Sequence, residues 1–400
     1  TVVIKETKGR NTDEILSDLL PQLIQRLSFP RPMYWQEKGI KFARPIRWIL
    51  ALFNDKPIVF NYADLQSGKV TQGHRFLAPG PFEVNSIDHY FKLMTENSVI
   101  VDHNQRREII VEQLHQKAAA HGGMAIIDPD LLEEVTFLVE FPVAVDGTFD
   151  SAYLDMPPEV PITSMQNHQR YFPIVDQESS KLKPVFVGIS NNCFHENIRK
   201  GYSKVLQARL ADGRFFFDED RKEPLEKYLE KLKSVIFLEA LGSLDQKRER
   251  LVELSGKIAA ELKLSAEQVG QVKRIAHLCK ADLVTNMVKE FPELQGVMGR
   301  EYAKLSGEEE KVALGIYEHY LPRHAGDQLP GSIVGAIVSL ADRIDTLAGC
   351  FSIGLQPTGS QDPYALRRQA QGAIAILLGQ SIDLSLDRYI ALAVEALLLT

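Results

Sequence analysis

Apolar residues recur at helical spacing near the start of the chain and again through most of its second half. In residues 12–27 the apolar positions Ile15, Leu19, Leu20, Leu23 and Leu27 fall on one helical face and Pro30 follows, which predicts an amphipathic helix. After residue 236, two Ser-x-x-Gln segments beginning at Ser243 and Ser265 have the pattern of a capping box that opens a helix. Apolar residues at helical period follow both segments, so the second half is predicted to be all α.

Three more helices are predicted in this half, over residues 307–321, 332–347 and 363–378. Asp362 and Pro363 stand at the start of the last one, where an N-cap and a first-turn proline are favoured.

The pattern between residues 31 and 235 is mixed. A helix is predicted over residues 101–120, and short apolar runs predict strands over residues 48–53, 58–60, 135–145 and 185–187. Because strands and helices do not alternate regularly, we predict an α+β domain.

A chain of 400 residues is longer than one hydrophobic core usually supports, so several domains are expected. We assign residues 1–30 to the end of a preceding region, 31–235 to the α+β domain and 236–378 to the all-α domain. Residues 379–400 are predicted to begin a helical linker. The chain starts at Thr1 rather than Met and stops in an apolar run, so we expect an internal piece of a longer polypeptide.

Composition narrows the class of protein. Hydrophobic residues make up 44% and charged residues 25%, as in ordinary globular proteins. The three cysteines predict neither a disulfide framework nor a Cys-based zinc site, which favours a cytoplasmic location. We expect no membrane contact, because no apolar run approaches the roughly 20 residues that span a bilayer.

Charge is segregated along the chain. The net charge is −7, but residues 161–217 carry +4 and the remainder −11. RNA binding needs cations for phosphates and aromatic faces for unpaired bases, and this stretch has both. Its candidate RNA-binding residues are Arg170, Arg199, Lys200, Lys204, Arg209 and Arg214, interleaved with Tyr171, Tyr202 and Phe215–Phe217. The alternative is that the phenylalanines anchor the core and the charges form a solvated face.

Arg367 and Arg368 form a second candidate RNA-binding site, in the second turn of the helix that follows the loop 354–361. A helix N-terminus attracts phosphate, although Asp362 as a cap would already use one of its donors. A different role is expected for the pair Arg44 and Arg47 and for the pair His74 and Arg75, since stacking on the neighbouring Trp48 and Phe76 would be a structural use.

Dense Gly, Pro, His, Arg and Asp residues, which core packing does not require, mark four segments: EFPELQGVMG (290–299), EHYLPRHAGDQLP (318–330), LADRIDTLAG (340–349) and IGLQPTGSQDPYALRR (353–368). With FARPIRW (42–48) and GHRF (73–76), these segments resemble the β subunit of bacterial glycyl-tRNA synthetase over nearly the whole chain. The resemblance implies a chain that binds and positions tRNA(Gly) and contacts the α subunit, as a ligase subunit in an α2β2 assembly.

In that family the α subunit makes the glycyl-adenylate, so the resemblance implies no catalytic residue and no cofactor on this chain, with ATP and Mg bound by the α subunit. The sequence agrees, since it has no GxxxxGK[ST] phosphate loop and no GxGxxG after a strand.

The α+β half also resembles the editing region of phenylalanyl-tRNA synthetase β chains. We do not expect hydrolytic proofreading, because glycine is the smallest amino acid and a tight pocket excludes all others sterically. This region is expected to serve RNA docking or subunit contact.

The second half resembles an HD domain, whose metal site uses two histidines and two aspartates. Lys247 stands at the first His position, Ala281 replaces the His of the His-Asp pair, and Asp282 and Asp342 match the aspartates. A protonated lysine repels a metal ion and has no lone pair to offer it, so we expect no metal. Two alternatives remain: a metal-dependent HD-family phosphohydrolase, and a non-catalytic structural scaffold.

We expect His277 and His319 to be partly exposed rather than substitute ligands.

Overall fold

The computed structural model describes residues 9–35, 39–359 and 361–398. They form two compact units. The first comprises the described residues up to Thr148 together with Arg170–Ser203, and the second comprises Phe149–Gln169 and the described residues from Lys204 onward.

The helices of the first unit are α1 (Thr12–Arg26), α2 (Ile87–Glu96), α3 (His103–Ala120) and α4 (Pro129–Leu138). Its strands are β1 (Met33–Trp35), β2 (Ile40–Phe42), β3 (Leu52–Phe53), β4 (Lys56–Pro57), β5 (Asn61–Tyr62), β6 (Leu65–Gln66), β7 (Val70–Gln72), β8 (Pro81–Glu83), β9 (Gly123–Ala125), β10 (Val143–Thr148), β11 (Tyr171–Asp176) and β12 (Leu182–Ser190). The strands β1 to β8 pair in sequence order as four antiparallel hairpins.

An antiparallel sheet in the order β10-β12-β11-β9 supports the core of this unit. Helix α3 packs on it through Ile110 and Leu114, which are fully buried with Phe172 and Val187 of the sheet. These positions alternate along the strands and repeat every four residues along α3, which is why one face of each element is apolar.

The strand predicted over residues 135–145 is wrong in its first part, which lies in α4. Asp128 caps α4 by accepting a hydrogen bond from the Leu131 amide at 2.8 Å, and Pro129 occupies the first turn. The cap and the proline outweigh the strand preference of Val135 and its neighbours.

The second unit is mainly helical. Its elements are α5 (Glu159–Thr163), most of α6 (His195–Asp220), α7 (Leu229–Leu232), β13 (Ile236–Leu238), β14 (Gly242–Ser243), α8 (Leu244–Glu261), α9 (Ala266–Leu278), α10 (Asn286–Glu290), α11 (Val297–Leu305), α12 (Glu310–Glu318), α13 (Ile333–Ser352), α14 (Leu366–Gly379) and α15 (Leu386–Leu398). Helix α13 lies at its centre and packs against α8, α9, α12, α14 and α15. It is apolar nearly all round, as a helix buried by neighbours on every side must be.

Both predicted capping boxes are present, at Ser243 with Gln246 and at Ser265 with Gln268. Helix α9 ends at Leu278, although its apolar period continues beyond that residue. The short β13–β14 hairpin was not predicted.

Helix α14 begins at Leu366 rather than at Pro363, so Asp362 is not its N-cap residue. The Asp362 carboxylate nevertheless accepts hydrogen bonds from the amides of Leu366 and Arg367, at 2.8 and 3.0 Å. Arg367 and Arg368 therefore lie in the first turn, not the second.

The mixed α+β fold class is confirmed. The predicted domain boundaries stay predictions, and residues 1–8 and 399–400 of the two terminal segments lie outside the described residues. Within the described parts of the chain, the helices include none with a long enough apolar stretch to cross a membrane.

Candidate functional sites

A buried charge cluster includes two of the four positions that the HD pattern assigns to metal ligands, Lys247 and Asp342. Lys247 on α8 reaches α13, where its ammonium nitrogen Nζ lies 2.8 Å from Asp345 Oδ2 and 2.9 Å from Thr346 Oγ1. It also makes an ion-pair contact of 2.9 Å with Asp342 Oδ1. The Lys247 side chain is only 3% exposed, so these three partners replace the water that it loses.

A second ammonium group meets the same aspartate from the other side. Lys280 Nζ lies 2.7 Å from Asp342 Oδ2 and 3.0 Å from His319 Nε2. The expectation of a partly exposed His319 is wrong, because this ring is 1% exposed and packs on Tyr320. Burial and the Lys280 charge hold the pKa of His319 well below its usual value. The neutral ring therefore accepts a hydrogen bond from the Lys280 ammonium group.

The charged states of the cluster support each other. Burial disfavours the charge on Lys247, but Asp342 and Asp345 outweigh burial and raise its pKa. Burial would likewise raise the pKa of Asp342, yet Lys247 and Lys280 outweigh it and hold that pKa below its usual value. The ion pairs are therefore present at neutral pH.

The residues at the other two HD positions are Ala281 and Asp282. Among the described residues, neither forms an ion pair with Lys247 or Lys280. Ala281 is part of the hydrophobic core. Asp282 Oδ2 instead accepts a hydrogen bond of 2.6 Å from the amide of Gly296, which caps α11. Burial raises the pKa of Asp282 to about 6.

Among the residues that the structure describes, no group of three or more His, Cys, Asp and Glu side chains is arranged to hold a metal ion. Two ammonium groups, those of Lys247 and Lys280, contact Asp342 at 2.9 and 2.7 Å. This arrangement supplies fixed positive charge in the interior, and it offers no open position at which a metal could activate water.

The candidate RNA-binding residues of the first unit are partly exposed and paired. Arg170 lies 2.9 Å from Glu134, Lys200 lies 3.3 Å from Glu196, and Arg199 lies 3.2 Å from Asp146. Their side chains are 41%, 73% and 45% exposed. The pairs of Arg170 and Lys200 are exposed on both partners and contribute about 0–1 kcal/mol each, whereas the Asp146 carboxylate that pairs with Arg199 is 17% exposed.

Asp146 is shared by more than one cation. Lys117 Nζ lies 2.9 Å from its Oδ1, and His121 lies 3.1 Å from its Oδ2. Partial burial would raise the pKa of Asp146, but the hydrogen bonds from Lys117 and His121 outweigh burial and lower it. The single Asp146 carboxylate thus pairs with both Lys117 and Arg199. These three side chains together carry a net positive charge at neutral pH.

In the second unit, Arg209 lies 3.3 Å from Glu290 and Arg214 lies 3.0 Å from Asp218. Arg214 also donates to the Ala152 carbonyl at 3.2 Å. Lys204 is exposed.

The aromatic residues divide between the two interpretations. Tyr171 is buried and stacks on Phe186 at 4.7 Å, and Phe217 is a core residue. Phe215 is 60% exposed and remains free to meet a base. Tyr171 and Phe217 therefore act as core residues, as the alternative interpretation expects. Phe215 remains a candidate for stacking on an RNA base.

Arg367 and Arg368 are exposed at the start of α14. Arg368 lines a cleft of about 280 Å³ together with His324, Gly326 and Gln371. Because Asp362 already accepts the first two amides of the helix, phosphate binding here would depend on the arginine side chains rather than on the helix N-terminus.

The comparisons with known proteins decide the family. Residues 1–398 match the model of the glycyl-tRNA synthetase beta subunit. This chain belongs to that family. It is 50% identical over 98% of its length to the glycine–tRNA ligase beta subunit of Moorella thermoacetica, and 47% identical over 99% to that of Halothermothrix orenii. The chain spans 57% and 58% of those two proteins.

For this member of the β subunit family, the HD pattern located Lys247 and Asp342 but missed Lys280, His319 and Asp345. The sequence did contain a signal. Lys247 and Arg250 are three residues apart on α8, as are Asp342 and Asp345 on α13, and Arg250 Nε lies 2.7 Å from Asp345 Oδ1. Opposite charges at matched spacing on two helices predict such pairing once the helices are known to be neighbours.

Proposed function

We propose that this chain is the part of a glycyl-tRNA synthetase β subunit that binds and positions tRNA(Gly) while a separate α subunit attaches glycine in an ATP-dependent reaction. The observation that carries the proposal is the match of residues 1–398 to the β subunit family. ATP and Mg would be bound by the α subunit, and the assembly would be α2β2.

The exposed cations support the RNA part of the proposal. Lys200, Lys204, Arg209, Arg367 and Arg368 present exposed or half-exposed charges in a chain whose net charge is −7. An acidic protein that still displays such cations is suited to local phosphate binding rather than to coating nucleic acid.

Two finer assignments belong to the same proposal. The first unit would be related to the phenylalanyl-tRNA synthetase editing region and would serve docking rather than hydrolysis. The second would be an HD-like scaffold in which Lys247 and Lys280 take the place of the metal. Their contacts with Asp342, at 2.9 and 2.7 Å, support this assignment and disfavour the phosphohydrolase alternative.

The division of labour is tested by glycine-dependent ATP–pyrophosphate exchange. The expected result is no exchange by this chain alone and normal exchange once the α subunit is added. Exchange by this chain without an α subunit would refute the proposal.

A structural scaffold that never meets RNA is the second candidate, and the ion pairs of Arg209 and Arg214 favour it. Reversing both charges in the assembled enzyme (Arg209→Glu with Arg214→Glu) separates the two candidates. A rise of about tenfold in the KM for tRNA supports RNA binding. An unchanged KM, equal to that of the exposed control Lys263→Glu, supports the scaffold.

A further inference from the structure

An open cleft of about 460 Å³ lies in the first unit, and none of the candidate RNA-binding residues lines it. Trp48 forms one part of its wall, and Arg47, Arg75, Gln72 and Glu140 add polar groups. Trp48 is 44% exposed, although an indole of this size is usually well buried. The volume lies within the range of pockets that hold small organic groups.

The turn that carries Arg75 is fixed by its own hydrogen bonds. His74 is fully buried, and its Nδ1 accepts bonds from the amides of Phe76 and Leu77 at 3.2 and 3.1 Å. The His74 amide donates to the Asn97 carbonyl at 3.0 Å. A Cβ on Gly73 would lie 2.7 Å from the Ala78 carbonyl oxygen, so only glycine allows this close approach. The turn that carries Arg75 is therefore held in place by contacts within the protein.

The two arginines of the cleft differ from those on α6. Among the described residues, no carboxylate lies within ion-pair distance of Arg47 or Arg75, whereas Arg199 and Arg209 are paired. Arg75 lies over the Phe76 ring at 5.6 Å, as expected from the sequence, but Arg47 has no such contact with Trp48 in the described structure. Stacking therefore leaves the hydrogen-bond donors of both guanidinium groups available.

We propose that this cleft binds one unpaired RNA nucleotide, with its base stacked on Trp48 and its phosphate held by Arg47 and Arg75. An exposed indole is a stacking surface for any base, and guanidinium groups bind phosphate through paired donors. Glu140 argues against a site for phosphate alone, since its carboxylate repels anions. It can instead accept a hydrogen bond from the amino group of a base. The inference rests on the proposed function, because it presumes that the chain meets RNA.

Photocrosslinking of the assembled two-subunit enzyme to hexaadenylate RNA, with peptide mapping of the adduct, tests the cleft separately from other RNA-binding surfaces. The expected result is an adduct on the peptide that contains Trp48. Its yield should fall about tenfold in the double variant Arg47→Ala with Arg75→Ala. The control Lys181→Ala, which removes an exposed cation elsewhere in the unit, should leave the yield unchanged. Melting temperatures of all variants should match, since Arg47, Arg75 and Lys181 are exposed.

Three results would overturn the inference. The first is no adduct at Trp48, and the second is an equal yield in the arginine variants. The third is suppression by adenosine monophosphate at the same nucleotide concentration as the hexamer, which would indicate a site for free nucleotides. If the adduct fails while Arg209→Glu with Arg214→Glu still raises the KM for tRNA, the proposed function stands and only the cleft is wrong. If the adduct forms while that KM is unchanged, the cleft stands and the role of Arg209 and Arg214 fails.

Discussion

Lys247 Nζ lies 2.8 Å from Asp345 Oδ2 in the interior of the second unit, where the two side chains are 3% and 1% exposed. Both charges have lost their water, so their stability depends on each other and on the hydrogen bonds around them. The pair joins α8 to the central helix α13. The cluster at the HD-like positions is thus an electrostatic connection between two core helices.

Removing one partner of this buried ion pair should lower the stability of the fold. Lys247→Met leaves Asp342 with one cation fewer and Asp345 dependent on Arg250 alone, so it should lower the free energy of unfolding by about 3–5 kcal/mol. Urea denaturation measures this loss. The matched control is Lys257→Met on the same helix, whose ion pair with Glu253 is 46% and 58% exposed and should be worth less than about 1 kcal/mol. Equal losses in the two variants would contradict the account of the cluster.

Asp282 should make stability depend on pH. Its pKa is raised from 3.8 to about 6 by burial, so the folded state favours the neutral acid. The stabilising contribution is complete below pH 3.8 and is lost as the pH rises through 6, by about 3 kcal/mol in all. Asp282→Asn removes this titration and keeps an acceptor for the Gly296 amide. The variant should therefore gain stability relative to the original protein between about pH 4 and about pH 7. A difference that stays constant over this interval would show that Asp282 does not titrate there.

Gly299 lies against the same aspartate. A Cβ at this position would lie 2.7 Å from Ile316 Cγ2 and 3.0 Å from Asp282 Oδ2, and neither can move freely in the core. Gly299→Ala should therefore destabilise the protein by about 1–3 kcal/mol. Gly270→Ala in α9 is the control, because among the described residues no atom beyond its chain neighbours and its own helix backbone lies within 4 Å of the added Cβ, and alanine favours a helix. That control should be neutral or stabilising by up to about 1 kcal/mol in the same urea titration. A loss in both variants would point to a general effect of alanine.

A chelator should not affect the fold. Since the ammonium groups of Lys247 and Lys280 already neutralise Asp342, treatment with EDTA should leave the melting temperature unchanged. A fall of several degrees, reversed by stoichiometric Mn, Fe or Zn and absent in Asp282→Ala, would instead support the phosphohydrolase alternative.

Five helices of the second unit, α8, α9, α12, α13 and α14, could be predicted from sequence because their signals are local, whereas α10, α11 and the β13–β14 hairpin were not predicted. The capping boxes at Ser243 and Ser265 and the apolar period after them depend only on neighbouring residues. Where local signals conflicted, the prediction failed. Around Val135, strand preference suggested β structure, but the Asp128 cap and Pro129 had already started a helix.

The candidate sites were harder because they depend on which elements become neighbours. The HD pattern gives no role to Lys280 or His319, and their 3.0 Å contact joins residues that are 39 positions apart. The cleft at Trp48 was missed for the same reason, since Glu140 reaches it from outside both FARPIRW and GHRF. The pairing of Arg170 with Glu134 and of Arg209 with Glu290 also joins distant segments. The charge count along the sequence could not predict that these cations are paired.

The most direct test of the central claim is the KM for tRNA of the assembled enzyme carrying Lys200→Glu with Lys204→Glu. Both lysines are exposed, so the substitutions should not disturb the fold. If this chain holds the RNA while another performs the chemistry, the KM should rise about tenfold or more, and glycine-dependent ATP–pyrophosphate exchange should not change. An unchanged KM, or a loss of exchange at normal melting temperature, would contradict the account.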